Sequence, residues 1–387
     1  MSSSGPRCLM LLDNPYRPDQ RPKREIATLI AAGWSIVLVC EKAHGLPDVV
    51  DQDGLEIRRV DAPWRGRVVS IDARSKQDAF IDYLRKEWCD GFDVVHCHDW
   101  LTLPVGARAA KVLGARLVYD AHEYFAGMSR PGKRQGLRSR VRQWVRRRRE
   151  NRALRAVDLL ITVSPLIGTW FRERRGFRGK ITILRNMPDW TTVPTPDAGL
   201  RSRLRIPAEA PLLVHCGNIR FESRRVDVVV GALAGSGQCH LLCVGDGEVD
   251  RLIALARESG VEGRVHHLSA VPNAELLGVL AACDLGVSVL QPDVPNHEAA
   301  LPNKLFEYLL AGIPVLGSPI QCQRQFLEEE GAGWSMAELS PASCAETLRA
   351  AVSELGRVRG RISDQRGRFA WSSQEPALVN AYLDLLE

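Results

Sequence analysis

Several features that define other protein classes are missing from this sequence of 387 residues. No apolar run approaches the roughly 20 residues that a membrane-spanning helix needs, and the first residues lack the apolar core of a secretory signal peptide. The 10 cysteines form no C-x-x-C pair, and the closest pair, Cys239 and Cys243, lacks the spacing of a zinc knuckle. These absences argue against a membrane-spanning or secreted protein and predict a reduced, cytoplasmic setting.

An excess of positive over negative charge is confined to one segment of the chain. Hydrophobic residues make up 45% of the sequence and charged residues 25%, which is typical of a globular protein and unlike disordered, collagenous or coiled-coil chains. Residues 130–155 contain twelve arginines and lysines against one acid, Glu150, a local net charge of +11. Because the whole chain carries only +6, the rest of the protein is net acidic.

Short, β-branched apolar runs alternate along the chain with helical patterns. Such runs are typical of parallel strands buried on both faces, and their alternation with helices predicts doubly wound α/β domains. A proline-rich stretch, 187–211, divides the runs into two series, and the chain length also favours two domains. The series are 36–40, 94–97, 116–119 and 159–163, then 212–216, 240–244, 265–268, 285–289 and 314–317. We therefore expect two Rossmann-like domains that face a central cleft, with ligands at the carboxyl ends of the strands.

One segment, 301–315, reads LPNKLFEYLLAGIPV and predicts a well-delimited helix. Pro302 suits the first turn of a helix, and Gly312 is typical of the position just after the last turn. The free amides and positive dipole end of such a helix can hold a diphosphate. The carboxylate of Glu307 can accept hydrogen bonds from two neighbouring sugar hydroxyls. The plainer alternative is a capped surface helix whose glutamate is exposed to water.

Further motifs follow one another in an order that is specific to one family. They read DVVHCHD at 93–99, LVYDAHE at 117–123, TVS at 162–164, LRNMP at 184–188 and LCVGDG at 242–247. Together with LPNKLFEY they resemble the retaining glycosyltransferase family 4, which has the GT-B architecture of two Rossmann-like domains. The tail, 371–382, resembles the family's final helix, which returns to the N-terminal domain. The resemblance implies an acceptor-side domain of 1–190 plus 372–387 and a donor-binding domain of 191–371.

The resemblance also implies a reaction. A sugar would move from a nucleotide-sugar donor to an acceptor hydroxyl with retention of its anomeric configuration, and no cofactor or metal ion is expected. Cations and fixed amides would stabilise the departing diphosphate. By this resemblance the donor-binding residues are Gly217, Arg224, Leu301, Asn303, Lys304 and Glu307, with Glu307 on the donor ribose. A solvated surface position is the alternative for Arg224.

The sequence departs from the family around the first acid of its E-x7-E pattern. Eight residues, not seven, separate Glu298 from Glu307. The resemblance makes Glu298 a candidate contact to the donor sugar or the reaction centre. Asn218 stands where relatives usually have arginine, and Arg225 where they have glycine.

His122 and Glu123 directly follow a buried strand, at the end where α/β domains bind ligands. By the resemblance, His122 contacts the sugar or the reacting centre; a structural histidine at the strand end is the alternative. His98 and Asp99 hold the same position on an earlier strand. We expect these two residues and Glu123 to shape the acceptor side rather than to bind a metal.

The first loop lacks the glycine-rich turn of many relatives and resembles a subgroup with a D-x-R-V-x-x-E pattern. Arg21 and Arg24 would then present side-chain cations to a phosphate-bearing acceptor. The D-x-D sequence at 51–53 has the form used by metal-dependent transferases of another fold, but it precedes a glycine in an apparent turn. We interpret this D-x-D sequence as a chance match in a loop that has no metal-binding role.

The arginine-rich segment, 130–155, has a helical pattern from 137 to 156 that includes Trp144. A polybasic helix with a tryptophan suits an anionic membrane surface, and this predicts a peripheral protein on the inner face of the membrane. Nucleic acid is not expected as a partner, because no aromatic-studded groove accompanies the charges. A solvated basic helix is the remaining alternative.

The sequence thus predicts a retaining glycosyltransferase, with a membrane-associated or lipid-linked acceptor in cell-surface glycan synthesis as one option. A nucleotide-sugar epimerase of the same architecture, a soluble natural-product glycosyltransferase, and a polyanion-binding scaffold with a decayed site are the alternatives. The donor base, the donor sugar and the acceptor are not encoded in any motif that we identify.

Overall fold

The computed structural model describes residues 5–17, 19–64, 71–89, 91–125, 136–189 and 192–387. The chain divides into two compact units. The N-terminal unit is Met1–Arg185 together with Gln374–Glu387, and the C-terminal unit is Asn186–Ser373. The boundaries predicted from the sequence, at 190 and 372, lie close to these. Within the described ranges, no helix combines the length and apolar character needed to cross a bilayer.

The N-terminal unit is built on an eight-stranded sheet with the order β3-β4-β2-β1-β5-β6-β7-β8. Its strands are parallel except for β3, which forms an antiparallel edge hairpin with β4. The order reverses between β1 and β5, so the carboxyl ends of these two strands open a crevice. The strands are β1 Arg7–Leu11, β2 Ser35–Glu41, β3 Val49–Gln52, β4 Leu55–Val60, β5 Val94–His98, β6 Arg116–Ala121, β7 Leu159–Thr162 and β8 Lys180–Ile183.

The helices of this unit are α1 Gln20–Ala31, α2 Ile71–Glu87, α3 Asp99–Leu113, α4 Leu137–Leu154 and α5 Pro165–Arg175, with α15 Glu375–Leu383 returning from the C-terminal segment. Local sequence explains α5. The hydroxyl of Ser164 caps it by accepting from the Ile167 amide, and Gly176 ends it at φ +66°. The TVS motif therefore closes β7 and starts α5.

The C-terminal unit has a six-stranded parallel sheet with the order β11-β10-β9-β12-β13-β14. The order reverses between β9 and β12. The strands are β9 Leu212–Cys216, β10 His240–Val244, β11 Val265–Leu268, β12 Leu285–Ser288, β13 Val315–Gly317 and β14 Gly333–Ser335. Every residue of β9, β10 and β12 is buried, as continuous apolar runs predict for strands covered on both faces.

The helices of the C-terminal unit are α6 Leu200–Arg203, α7 Phe221–Arg224, α8 Val226–Leu233, α9 Val249–Glu258, α10 Asn273–Ala281, α11 Pro295–Glu298, α12 Asn303–Leu310, α13 Gln321–Glu329 and α14 Pro341–Gln365. The predicted helix of the LPNKLFEY motif is α12. Its buried side consists of Leu305, Phe306, Tyr308, Leu309 and Leu310.

Tyr308 fixes the opening between β9 and β12. The two strands pair only through Leu285 with Leu213 and Gly286 with Val214, and then separate. In the gap, the Tyr308 hydroxyl accepts from the Cys216 amide at 2.9 Å and donates to the Val287 carbonyl at 3.2 Å. The ring fits because residue 286 is glycine: a Cβ there would lie 2.2 Å from Tyr308. The shape of this strand end therefore depends on one tyrosine and one glycine.

We expect Gly286→Ala to lower the free energy of unfolding of the C-terminal unit by about 1–3 kcal/mol, because the added methyl group overpacks the Tyr308 ring. Gly356→Ala is the matched control, since Gly356 lies in α14 and a Cβ added there would meet nothing within 4 Å. That change should raise stability by about 0.5–1 kcal/mol through helix propensity. Urea unfolding of both variants measures the difference, and equal stability of Gly286→Ala and the parent protein would contradict this account.

Candidate functional site

A cavity of about 470 Å³ lies in the C-terminal unit at the carboxyl ends of β9 and β10, beside the start of α12. Of the residues predicted to bind the donor, it is lined by Gly217, Arg224, Asn303, Lys304 and Glu307. The other lining residues are Cys216, Val244, Gly245, Ala270, Val271, Leu276 and Pro302. Cationic, carboxylate and apolar surfaces thus meet in one cavity.

Two glycines let the backbone approach closely at the base of this cavity. Gly217 follows β9 with φ +98°, and Gly245 follows β10 with φ +135°. A Cβ on Gly245 would lie 2.4 Å from the Gly217 carbonyl oxygen. Because both residues lack a side chain, a ligand can reach the backbone at the strand ends.

Lys304 is the unusual residue of the cavity. Its Nζ atom is buried and forms no hydrogen bond with any described residue. Burial, reinforced by the neighbouring Arg224 guanidinium, lowers the pKa of Lys304 to about 8. Burial also lowers the pKa of Arg224. Two poorly solvated cations beside the first turn of α12 form a site for an anion, since an unpaired buried charge is costly.

The carboxylate of Glu307 faces the thiol of Cys216, whose Sγ donates to Oε2 at 3.5 Å. Burial and the Glu307 charge raise the pKa of the Cys216 thiol to about 12, so it stays protonated. Glu307 is partly exposed, and it lies one turn into α12 from Asn303. This places a carboxylate, an amide and an ammonium group along one side of the cavity.

Two other donor-site predictions fall outside this cavity. Leu301 is buried and is not among the described residues that line the cavity; Pro302 takes that place. Glu298 ends α11, and its Oε2 accepts from the amide of Gln321 at the start of α13 at 3.3 Å. Its role at the donor sugar stays a prediction without support from the cavity geometry.

A second polar site lies in the N-terminal unit, where β5 and β6 end. His122 is held from both ring nitrogens: Nε2 lies 2.8 Å from Asp120 Oδ2, and Nδ1 lies 3.2 Å from Asp99 Oδ2. Although burial opposes the charged form, these two carboxylates raise the pKa of His122 well above its usual value. For Asp120, Arg21 and His122 outweigh burial and lower the pKa well below its usual value.

Arg21 does not present a free cation, so the prediction that it binds the acceptor is wrong. Its side chain is only 2% exposed. Nε and Nη2 donate to the two carboxylate oxygens of Asp120, each at 2.8 Å, and Nη1 donates to the Leu184 carbonyl at 2.8 Å. Arg24, on the same helix, is partly buried.

His98 is also placed differently from the prediction. It is fully buried, with Nδ1 3.3 Å from Asp120 Oδ2, and therefore cannot touch an acceptor directly. Asp99 remains one-third exposed and begins α3. Glu123, which directly follows His122 in sequence, is exposed. Of the predicted acceptor-side residues, Asp99 and Glu123 are the ones that combine a strand-end position with access to solvent.

Glu25, His96, His98 and Asp120 bring ligand-type atoms within 4.8 Å of one another, as a metal site would. The Arg21 guanidinium, however, stands between the acids: Nε lies 3.1 Å from Glu25 Oε1 and 2.8 Å from Asp120 Oδ2. A metal cation there would be repelled by the arginine. We therefore interpret the cluster as carboxylates and histidines arranged around an arginine.

The described part of the basic segment forms α4; residues 130–135 lie outside the described residues. Val141 is 52% exposed and Trp144 59% exposed. Arg148 lies over the Trp144 ring at 5.4 Å, and a cavity of about 700 Å³ is lined by Trp144, Arg147, Arg148, Asn151, Arg152 and Arg155. The single acid of the segment, Glu150, is buried and paired with Arg175.

Sequence reasoning missed Asp120, Glu25, His96 and Cys216. Asp120 and the two histidines interrupt otherwise apolar buried strands, and that interruption was the available signal, because buried polar groups need partners. His96 and His98 share one face of β5, and His98 is in register with Asp120 on β6. Nothing in the sequence distinguishes Cys216 from the other buried cysteines.

Two family models match the chain. The family described as "Glycosyl transferase 4-like domain" matches residues 20–187, and "Glycosyl transferases group 1" matches residues 210–354. Among curated proteins, a glycogen synthase of Mycobacterium tuberculosis is 27% identical over 75% of this chain and 68% of its own. A D-inositol 3-phosphate glycosyltransferase of Thermobispora bispora is 25% identical over 89% of this chain and 84% of its own.

Solved structures resemble the whole chain. Sucrose-phosphate synthase from Thermosynechococcus elongatus superposes with a TM-score of 0.74 at 18% identity, covering 98% of this chain and 99% of that one. Anabaena HepE in complex with UDP gives a TM-score of 0.71 at 18% identity, covering 98% and 100%. WaaG, a glycosyltransferase involved in lipopolysaccharide biosynthesis, gives 0.63 at 20% identity, covering 96% and 98%. At these identities the likeness shows the fold, and the predicted GT-B architecture is confirmed.

We expect Lys304→Met to stabilise the protein and to abolish its binding of inorganic pyrophosphate, because the change removes an unpaired buried charge and keeps a side chain of similar length. The folded pKa lies below that of the unfolded chain, so the unfolded state binds more protons between about pH 8 and 10.5. The cost of Lys304 is therefore complete at pH 7 and fades as pH rises. The stability gain of Lys304→Met should be larger at pH 7 than at pH 9.5.

Thermal unfolding and calorimetric titration measure these effects. Lys180→Met is the control, because Lys180 is 46% exposed and pairs with Asp384 on the surface. It should change stability by less than about 1 kcal/mol and leave pyrophosphate binding intact. A Lys304→Met variant that is less stable than the parent at pH 7 would show that the ammonium group has a partner.

Proposed function

We propose that this chain, which belongs to the glycosyltransferases of family 4 with the GT-B architecture, transfers a sugar from a nucleotide-sugar donor to an acceptor hydroxyl with retention of configuration. The observation that carries the proposal is the buried, unpartnered Nζ of Lys304 next to Arg224 at the start of α12. A diphosphate supplies the negative charge that this pair lacks. It is also the leaving group whose charge grows during glycosyl transfer.

The same cavity accommodates the rest of a nucleotide. Glu307 lies one turn into α12 from the cations, where its two oxygens can accept from the vicinal hydroxyls of a ribose. Val271 and Leu276 provide apolar surface for a base. UDP is the nucleoside diphosphate to test first, because solved structures of the similar protein HepE contain UDP and UDP-glucose.

The proposed mechanism is a front-face substitution at the anomeric carbon. The departing phosphate takes the acceptor proton while Arg224 and Lys304 hold its charge, so no protein base is needed on that side. We propose that these cations supply the stabilisation that a metal ion supplies in other transferases. Full activity in the presence of EDTA is the expected result. His122 is proposed to contact the transferring sugar, as the resemblance implies.

The acceptor is proposed to be membrane-associated or lipid-linked, because α4 has the character of an interfacial helix. Its exposed Val141 and Trp144 precede a run of exposed arginines on the same helix. Apolar side chains that enter the headgroup region beside cations are typical of helices that bind anionic membranes. A phosphate-binding role for Arg21 no longer supports this acceptor, since Asp120 occupies its guanidinium. The cytoplasmic, inner-face location stays a prediction.

Glu307→Gln should weaken UDP binding at least about tenfold while leaving inorganic pyrophosphate binding unchanged, because only the nucleotide has a ribose for the carboxylate. Calorimetric titration of both ligands measures the contrast. Glu298→Gln is the control in the same unit and should bind both ligands like the parent protein. Equal losses for UDP and pyrophosphate in Glu307→Gln would place the carboxylate at the phosphates instead.

A loss confined to Glu298→Gln, in transfer from UDP-sugar but not in UDP binding, would support a contact between Glu298 and the donor sugar. Incubation of the parent protein with UDP-sugar alone separates the rival activity, since an epimerase converts its donor without an acceptor.

The membrane proposal predicts binding to vesicles that contain anionic phospholipid, weak binding to neutral vesicles, and a decline as salt rises. Replacing Arg147 and Arg148 by glutamine should weaken binding roughly 30-fold, at about 1 kcal/mol per cation. The control replaces Arg172 and Arg174, two exposed arginines of α5 in the same unit. Vesicle sedimentation measures all three proteins. Vesicle binding that does not change with salt concentration would contradict the proposal, and so would equal losses of binding in the two double variants. Either result would indicate that α4 is a solvated basic helix.

A further inference from the structure

His122 has no nitrogen lone pair left with which to accept a proton. Both ring nitrogens lie within hydrogen-bond distance of a carboxylate, Asp120 on one side and Asp99 on the other. A carboxylate accepts and does not donate, so each nitrogen must carry a hydrogen. The ring is then an imidazolium. The local charges then sum to zero: the carboxylates of Asp120 and Asp99 are negative, and the Arg21 guanidinium and the imidazolium are positive.

Asp120 is in turn fixed by Arg21. The guanidinium binds both carboxylate oxygens at 2.8 Å through the two-pronged geometry that is specific to arginine. Its third contact, at 2.8 Å to the Leu184 carbonyl, ties the arginine to the chain after β8. Both side chains are almost completely buried. Asp120 therefore has one orientation, and it imposes that orientation on the ring of His122.

Asp99 contacts His122 from the side opposite Asp120, and its own backbone adopts an unfavourable conformation there. Its backbone has φ +59°, a region that residues other than glycine rarely adopt. In that conformation, Oδ1 accepts from the His122 amide at 3.2 Å while Oδ2 lies 3.2 Å from the ring Nδ1. An unfavourable backbone that places a side chain in this way is typical of functional sites.

We propose that Asp120 and Asp99 are positioning residues that keep His122 as a fixed imidazolium, with Arg21 locking Asp120 from behind. His122 then acts on the transferring sugar through its positive charge and its C–H edge, and never as a general base. The inference rests on the proposed function for where His122 acts, but its protonation state follows from the N-terminal unit alone.

Other titratable groups surround this set and do not alter the conclusion. His98 faces His122 with ring centroids 5.7 Å apart, and Glu25 and His96 lie behind it around Arg21. Burial and the Asp120 charge raise the pKa of Glu25, while burial and the neighbouring His98 lower that of His96. Both changes favour neutral groups there, which leaves the two aspartates as the anions that face His122.

The test is a pH titration of the whole protein labelled with 15N-histidine, followed by two-bond proton–nitrogen correlation spectra, which distinguish imidazolium from neutral rings. The chain has 9 histidines, and His122→Asn identifies the signal. We expect His122 to remain an imidazolium up to at least about pH 8, against an ordinary pKa of about 6.5. Asp120→Asn should lower the titration midpoint by at least about one pH unit, and Asp99→Asn should lower it as well.

Asp158→Asn is the matched control. Asp158 also pairs with an arginine, Arg116, and accepts from the Leu117 amide at the other end of β6, far along the strand from His122. It should leave the His122 midpoint unchanged. If Asp120→Asn fails to fold, Asp99→Asn carries the test, because Asp99 is one-third exposed.

Three outcomes would overturn the inference. They are a parent His122 that titrates near 6.5, an Asp158→Asn shift as large as that of the site variants, and specific Zn²⁺-dependent shifts of the His96 and His98 signals, which would make the cluster a metal site. The titration uses no substrate, so its result stands even if the protein fails to transfer sugar. Given activity, Asp99→Asn should lower kcat more than it raises the donor KM.

Discussion

Charge that leaves water must be neutralised inside the protein, and the carboxyl end of the N-terminal sheet is organised around that requirement. Arg21 is buried, and its guanidinium can remain charged there because the Asp120 carboxylate binds it through two hydrogen bonds. Asp120 is shared with His98 and His122, so the position of each side chain depends on the others. Removing one member leaves a neighbouring charge uncompensated, which is why such networks behave as units.

The C-terminal unit treats buried charge in the opposite way. Lys304 and Arg224 are poorly solvated at the start of α12, and the Nζ of Lys304 has no hydrogen-bonding partner among the residues that the structure describes. The N-terminal unit neutralises its buried cation with its own carboxylates. The C-terminal unit leaves an excess of positive charge that an anionic ligand can neutralise. Stability and binding are therefore in conflict at Lys304, whereas the charge of Arg21 is satisfied within its own unit.

Much of this arrangement was predictable from the sequence. Apolar runs indicate which strands are buried, and residues that directly follow those strands are expected at the ligand-binding edge of the sheet. The two sheets and the helix of LPNKLFEY rest on such local patterns, whereas the donor-binding roles proposed for Lys304 and Glu307 come from the resemblance to glycosyltransferase family 4. The pairing of Arg21 with Asp120 could not be predicted, since the two residues are 99 positions apart and either could have faced solvent. The β3–β4 hairpin was missed for another reason: its exposed edge strand lacks the continuous apolar character of the central strands.

The return of α15 into the first unit has a consequence for biosynthesis. Tyr382 of α15 packs edge-on against Trp34 and contacts His96, deep beneath the strand ends of the N-terminal unit. These residues leave the ribosome after the whole of the C-terminal unit, which lies between them and the rest of their own fold. The half of the protein that is synthesised first therefore completes its folding only after the second half has emerged. Until α15 has been synthesised, the positions of the N-terminal unit that α15 covers remain exposed to water.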